Sequence, residues 1–186
     1  EYSLTTPFSL VNVAASYSDS DSLTIAGSDS SPATTQSHFE DLIFNDDGTK
    51  MYTLGYASGV AGKNIFQYTL SIPFDVSTAS YTQNFSVSAQ DTTPISLTFN
   101  NDGTKMFVVG NQGDDINEYT LSTGFDVSTA SFVGEFSVSS QDPNPYDIEF
   151  NNDGTKLFML GRQAGDISEY SLTTPFSLVN VAASYS

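Results

Sequence analysis

The side chains of this sequence best suited to chemistry are carboxylates and hydroxyls, and they first gather at Ser18-Asp19-Ser20-Asp21-Ser22, with Asp29 following. Asp19, Asp21 and Asp29 offer hard oxygen donors in a Ser-rich stretch, the donor type that suits calcium, which accepts irregular geometry. A solvated loop has the same composition. Asp114-Asp115 is a second, shorter acidic pair. Further acids recur as Asp47-Gly48, Asp102-Gly103 and Asp153-Gly154, each followed by Thr-Lys. An EF-hand loop needs acidic ligands at alternating positions and a closing Glu about twelve residues along, and none of the three has them. Recurrence in every unit is what a structural turn predicts.

His38 is the sole histidine. A Ser-His-Asp triad would need it beside an activated serine, and no nucleophile-elbow motif is present. The simplest reading is a surface or edge residue just before a strand. Glu40, Glu118, Glu135, Glu149 and Glu169 could supply a glycosidase carboxylate pair. Glu118 and Glu169, however, occupy equivalent positions in neighbouring units and so read as features of the unit. No catalytic and no cofactor-binding residue is assigned, and the chain is expected not to be an enzyme. Asn84-Phe85-Ser86 is an N-glycosylation acceptor sequence falling within an expected strand, which makes Asn84 a glycosylation candidate.

The elements that hold these groups follow from composition and repeat. With 22 acidic against 5 basic residues, the formal charge is −17. Such a surface repels nucleic-acid phosphates and anionic membranes, so neither nucleic acid nor membrane insertion is expected. No apolar run approaches the ~18 residues that read as a membrane span, and no basic and apolar leader pattern stands at Glu1. Cysteine is absent, which excludes disulfide scaffolds and thiolate zinc sites. Ser and Thr make up about a quarter of the chain, Lys is scarce and aromatics reach 13%. That mixture reads as β-structure with hydroxyl-rich faces and leans toward an extracellular or cell-surface setting.

Aligned with itself, the chain shows three units. The cassettes LIFNDDGTKMYTLG, LTFNNDGTKMFVVG and IEFNNDGTKLFMLG begin at Leu42, Leu97 and Ile148. Each is followed by a second cassette whose marker tyrosines, Tyr68, Tyr119 and Tyr170, stand 51 residues apart. A third cassette ends in Asp91 and Asp142, with a relaxed relative ending in Asp29. Within a unit the apolar period is two: Leu97 with Phe99, Met106 with Val108, Phe136 with Val138. This gives four short strands per unit. The Asp-Gly segment makes a tight hairpin in which Gly supplies the positive φ. The Pro-Phe-Asp-Val-Ser-Thr-Ala segment forms a longer connection expected to bury its Phe. No stretch carries a capped amphipathic helix.

This unit, Pro-x-x-Ile/Leu-x-Phe-x-x-Asp-Gly-Thr-Lys-Met/Leu-Phe/Tyr-x-x-Gly followed by Ile-x-x-Tyr-x-Leu, resembles the blades of the YVTN/WD40-like β-propeller superfamily. The Trp-Asp dipeptide of WD40 blades is absent, since the chain has no Trp. The expected fold is all-β, an array of four-stranded antiparallel propeller-type blades. Residues 1–38 would be the end of a preceding blade with a loop insertion, and residues 39–93, 94–144 and 145–186 the three blade-type repeats.

Residues 1–18 recur letter for letter as residues 169–186, an offset of 168. After Asp166 the third unit switches to the PFSLVNVAAS connection of residues 7–16. The expectation is a 168-residue supra-repeat of three blades, open or completed by a neighbouring repeat or chain. Edge strands left open at both ends are an arrangement that soluble monomers avoid. The leading functional expectation is therefore a structural, extracellular repeat protein that builds a fibre, sheath or surface stalk by serial blade packing and associates with identical repeats. The alternative is a carbohydrate-binding lectin or adhesin module on a microbial or viral surface, using the loops at residues 28–37 and 56–63. A secreted hydrolase stands third.

Overall fold

Alternation of apolar residues on either side of Asp-Gly turns yields eleven strands in the computed structural model, which describes residues 38–56, 62–179 and 181. Blade 1 comprises β1 (His38–Phe44), β2 (Lys50–Tyr56), β3 (Asn64–Leu70) and β4 (Ala79–Ser86), hydrogen-bonded in that order. Blade 2 repeats the pattern with β5 (Pro94–Phe99), β6 (Lys105–Gly110), β7 (Asp115–Leu121) and β8 (Ala130–Ser137). Blade 3 contributes β9 (Pro145–Phe150), β10 (Lys156–Gly161) and β11 (Ile167–Ser171) among the described residues. All pairings are antiparallel. The strand and hairpin expectations hold, and β1 begins one residue before the boundary drawn at residue 38/39.

The hairpins show why Asp-Gly recurs. Gly48, Gly103 and Gly154 have φ of 68°, 69° and 69°, the left-handed region that side chains with a Cβ resist. Asp47 Oδ1 accepts from the Thr49 amide at 2.9 Å and from the Thr49 hydroxyl at 2.6 Å, and Asp102 and Asp153 repeat this with Thr104 and Thr155. Those bonds hold the three carboxyl groups below the ordinary aspartate range. The acids are thus turn formers.

Each connection after the third strand folds back on that turn. Phe74, Phe125 and Phe176 take φ of 60°, 60° and 51°, unusual for a bulky residue. Their amides donate to the carbonyls of Gly48, Gly103 and Gly154 at 2.9, 3.0 and 2.9 Å. A Cβ on any of those glycines would overlap the phenylalanine ring. Each ring lies on its glycine, and those of Phe125 and Phe176 also pack against the interior clusters. Phe125 and Phe176 are half-buried and Phe74 is exposed, which corrects the expectation of a buried Phe here. Single 3-10 turns follow at Val76–Thr78 and Val127–Thr129, capped by Asp75 and Asp126.

Two core clusters lie between blades, and a third, of Met51, Phe66, Tyr68 and Leu70, lies on the face of blade 1 turned away from blade 2. Tyr52, Leu54 and Ile65 of blade 1 pack with Leu97, Met106, Val108, Tyr119 and Leu121 of blade 2. Phe107, Val109 and Ile116 of blade 2 pack in the same way with Ile148, Leu157, Met159, Tyr170 and Leu172 of blade 3. Each fully buried large apolar side chain in these joints contributes about 1.5–3 kcal/mol.

Candidate functional site

The joint between successive blades is built twice from the same parts. The second strand of a blade opens with a lysine, set there by the Asp-Gly-Thr-Lys turn. Lys50 Nζ donates to the Phe125 carbonyl at 2.9 Å, and Lys105 Nζ donates to the Phe176 carbonyl at 2.7 Å. The third strand carries an acceptor at its centre. Gln67 Oε1 accepts from the Val127 amide at 3.0 Å, and Glu118 Oε2 accepts from the Leu178 amide at 2.7 Å. The lysine and the acceptor thus grip one short segment of the next blade at its carbonyl and at an amide two residues on.

Local chemistry adapts the grip at each joint. Glu118 is buried, and its Oε1 receives Lys105 Nζ at 2.7 Å, so its charge is paired inside the joint. At the first joint Gln67 is neutral and the nearby acid is Asp126. Gln83 Nε2 donates to Gln67 Oε1 at 3.0 Å and to Asp126 Oδ1 at 2.5 Å. The Ser128 hydroxyl also donates to Asp126, and these bonds hold its carboxyl low. Tyr52 adds a hydroxyl bond of 2.8 Å to the Phe125 carbonyl, and burial pushes its phenol up. Aromatic rings cross both joints, Tyr52 on Phe99 at 4.8 Å and Phe107 on Phe150 at 4.6 Å between centroids.

Blades 3 and 1 carry, on the faces turned away from blade 2, residues at the positions that form the two sides of this joint. On blade 3, Leu160 is 41% and Ile167 66% exposed, whereas their blade 2 counterparts Val109 and Ile116 are fully buried. Lys156 and Glu169, at the positions of Lys105 and Glu118, pair with each other at 2.5 Å and remain partly exposed. On blade 1, Leu42 is 53% exposed, while Leu97 and Ile148 at the same position are 2% exposed. An open groove beside it is lined by Phe39, Met51, Thr53 and Val76. Tyr68, the marker tyrosine of that face, is buried. Tyr119 and Tyr170 reach Gln90 and Gln141 of the preceding unit at 3.2 Å.

Sequence reading did not single out several buried polar groups. Asp91, wholly buried, accepts from the amides of Thr93, Gln112 and Gly113, and Asp142 accepts from those of Asn144 and Ala164. Their signal was the repeated Gln-Asp that ends the third cassette. Lys63 is buried between Glu40 Oε1 at 2.7 Å and the Pro94 carbonyl at 3.1 Å. The Ser96 hydroxyl links neighbouring first strands, lying 2.9 Å from Asp41 Oδ2 and 2.6 Å from Asp147 Oδ1. Asp115 is buried and receives Asn117 Nδ2 at 2.7 Å; burial first, and then the Glu135 charge, pushes its carboxyl up to about 6. Burial also raises Glu149, with Asp147 adding to the shift.

The sequence candidates fall as follows. Asp19, Asp21 and Asp29 lie outside the described residues. Among the described residues no group of three His, Cys, Asp or Glu side chains is placed to hold a metal ion. Asn84 lies in β4, half-buried, with Nδ2 donating to the Tyr81 hydroxyl at 2.8 Å. His38 is exposed at the start of β1, 3.4 Å from Glu40. Glu118 bonds the Leu178 amide of the neighbouring blade, and Glu169 pairs with Lys156 within blade 3. A cavity of about 480 Å³ lies at the hairpin ends of the first strands, lined by Phe44, Phe99, Phe150, Asn101, Asn152 and Glu149 among others. No described helix is long and apolar enough to cross a membrane.

The chain matches no protein-family model and no curated protein. Among solved structures it is similar to a putative 6-phosphogluconolactonase from Bacteroides fragilis, with a TM-score of 0.53 at 15% identity over 79% of this chain and 37% of that one. A protein from Lactobacillus plantarum gives a TM-score of 0.56 at 17% identity, over 80% and 40% of the two chains. The β-propeller domain of Myceliophteria thermophila Cps50 (Swd1) gives 0.50 at 13% identity, over 73% and 38%. At these identities the likeness shows the fold, which is propeller-type. The chain spans about two-fifths or less of each neighbour's length.

Proposed function

We infer that this protein is a structural repeat module of YVTN/WD40-like blades that extends by serial blade packing into a fibre, sheath or surface stalk outside the cell. The observation that carries the reading is the joint itself. It is made twice with the same lysine, acceptor and aromatic positions, and blades 3 and 1 carry residues at the positions of its two sides on the faces turned away from blade 2. In such arrays stability resides in neighbour contacts, so each added unit is held as the internal ones are. The acidic, Ser/Thr-rich, Lys-poor composition favours an extracellular setting, and the 168-residue repeat favours like units as partners.

A non-catalytic role is favoured by how the buried carboxylates are used. Among the described residues, Asp91 and Asp142 hold backbone amides and Glu118 holds a neighbouring blade. Negative-stain microscopy with sedimentation velocity tests the reading. Filaments or ring-closed oligomers are expected, and a monodisperse monomer at the highest soluble concentration would remove it.

A second reading, carbohydrate binding, is favoured by the cavity at the hairpin ends. Its phenylalanine rings, asparagine amides and the Glu149 carboxylate are the groups that face sugar rings and hydroxyls. A glycan array answers it: binding lost in Glu149→Gln supports the reading, and an empty array at high protein concentration overturns it.

A further inference from the structure

We propose that the outer face of blade 3 receives blade 1 of a second copy, with Lys156 Nζ donating to the partner's Phe74 carbonyl and Glu169 accepting from the partner's Val76 amide. This rests on the structural reading above and names its contact. Position for position, Lys156 follows Lys50 and Lys105, Glu169 follows Gln67 and Glu118, and Phe74 and Val76 precede Phe125 and Val127. The same transfer lays Phe158 against the partner's Phe44, as Tyr52 lies against Phe99 and Phe107 against Phe150. Ile167 and Leu160 then meet the face that contains Leu42, Met51 and Val76, where their counterparts Ile116 and Val109 meet Ile148, Leu157 and Leu178.

A second copy is the occupant because the interface is already established inside the chain and each outer face supplies the half that the other lacks. Leu42 and Ile167 are exposed where the transfer predicts contact, beside Met51, Tyr68 and Leu70, which are already buried on the blade 1 face. Leu42 and Ile167 are 53% and 66% exposed at positions that are 0–2% exposed where a neighbouring blade is present. The contact is head-to-tail, so it generates a ring if the rotation closes and a filament if it does not.

The test is sedimentation of the full chain with Leu42→Glu, Ile167→Glu and a control, Val133→Glu, on the exposed β8 surface. Leu42 and Ile167 are exposed in one copy, so the substitutions leave its fold intact, which circular dichroism verifies. Either blocking substitution is expected to weaken association by roughly a hundredfold or more, since it buries an unpaired charge. The control associates as the unmodified chain does. A mixture of Leu42→Glu and Ile167→Glu chains forms heterodimers and nothing larger, because each retains one intact face.

If the unmodified chain assembles and either blocked variant assembles equally well, or if the mixture stays monomeric, this contact is wrong while the structural reading stands. If the unmodified chain stays monomeric, both fall.

Discussion

Lys105 Nζ lies 2.7 Å from the Phe176 carbonyl and, at the same distance, from Glu118 Oε1, so one ammonium group closes a charge pair within blade 2 and a bridge to blade 3. Removing the lysine strands a buried carboxylate. Lys105→Met is expected to cost about 3 kcal/mol, the range for breaking one side of a buried pair. Glu118→Gln should cost about 1 kcal/mol, because Gln67 performs the same task in blade 1. Urea unfolding of both variants checks the order, and equal losses would contradict the assigned roles.

The turn glycines offer a sharper contrast. Gly103 has a φ of 69° and faces the Phe125 ring, while Gly134 in β8 has open space where a side chain would stand. Gly103→Ala is expected to destabilise by about 2–3 kcal/mol through backbone strain and the displaced ring. Gly134→Ala should stay within about 0.5 kcal/mol of the unmodified chain. Thermal melts of the pair distinguish them.

Asp115 makes stability depend on pH. Its folded carboxyl, pushed up to about 6, keeps a proton that the unfolded chain releases near ~4, so between these values the folded state binds more protons. Stability therefore falls as pH rises through that window. Asp115→Asn, the residue type that blade 1 carries at Asn64, should flatten this slope and stabilise the chain at neutral pH. An unchanged slope in urea titrations from acid to neutral pH would sink the assignment.

The joint between copies differs in charge from those inside the chain. Gln67 meets the Asp126 loop and Glu118 meets the Ser177 loop, but Glu169 would meet the loop of Asp75. Like charges at this distance weaken the contact, so Glu169→Gln is expected to tighten association by roughly fivefold, about 1 kcal/mol. Weaker or unchanged association on sedimentation would contradict the placement.

Much of the fold was legible because its signals are local. Asp-Gly-Thr-Lys specifies a turn through one positive φ and one side-chain acceptor, and the period of two on either side fixes which residues face inward. The repeat also placed Glu118 and Glu169 at equivalent positions, where each pairs with the lysine of its own blade. The joint was not legible, because it ties Lys105 to a residue 71 positions away through a backbone carbonyl that leaves no mark in the sequence. The exposure of Phe74 was missed for a related reason. Its ring packs on Gly48 of the turn and on Phe44, 5.4 Å away, so hydrophobicity alone pointed to an interior it does not enter.

Amide hydrogen exchange at Val76 tests the central claim most directly. Val127 and Leu178 donate their amides to the preceding blade, and Val76 stands at the same position with no preceding blade among the described residues. Serial packing predicts that Val76 exchanges fast in dilute protein and slows toward Val127 as concentration rises. Exchange at Val76 that is independent of concentration while the protein assembles would contradict it.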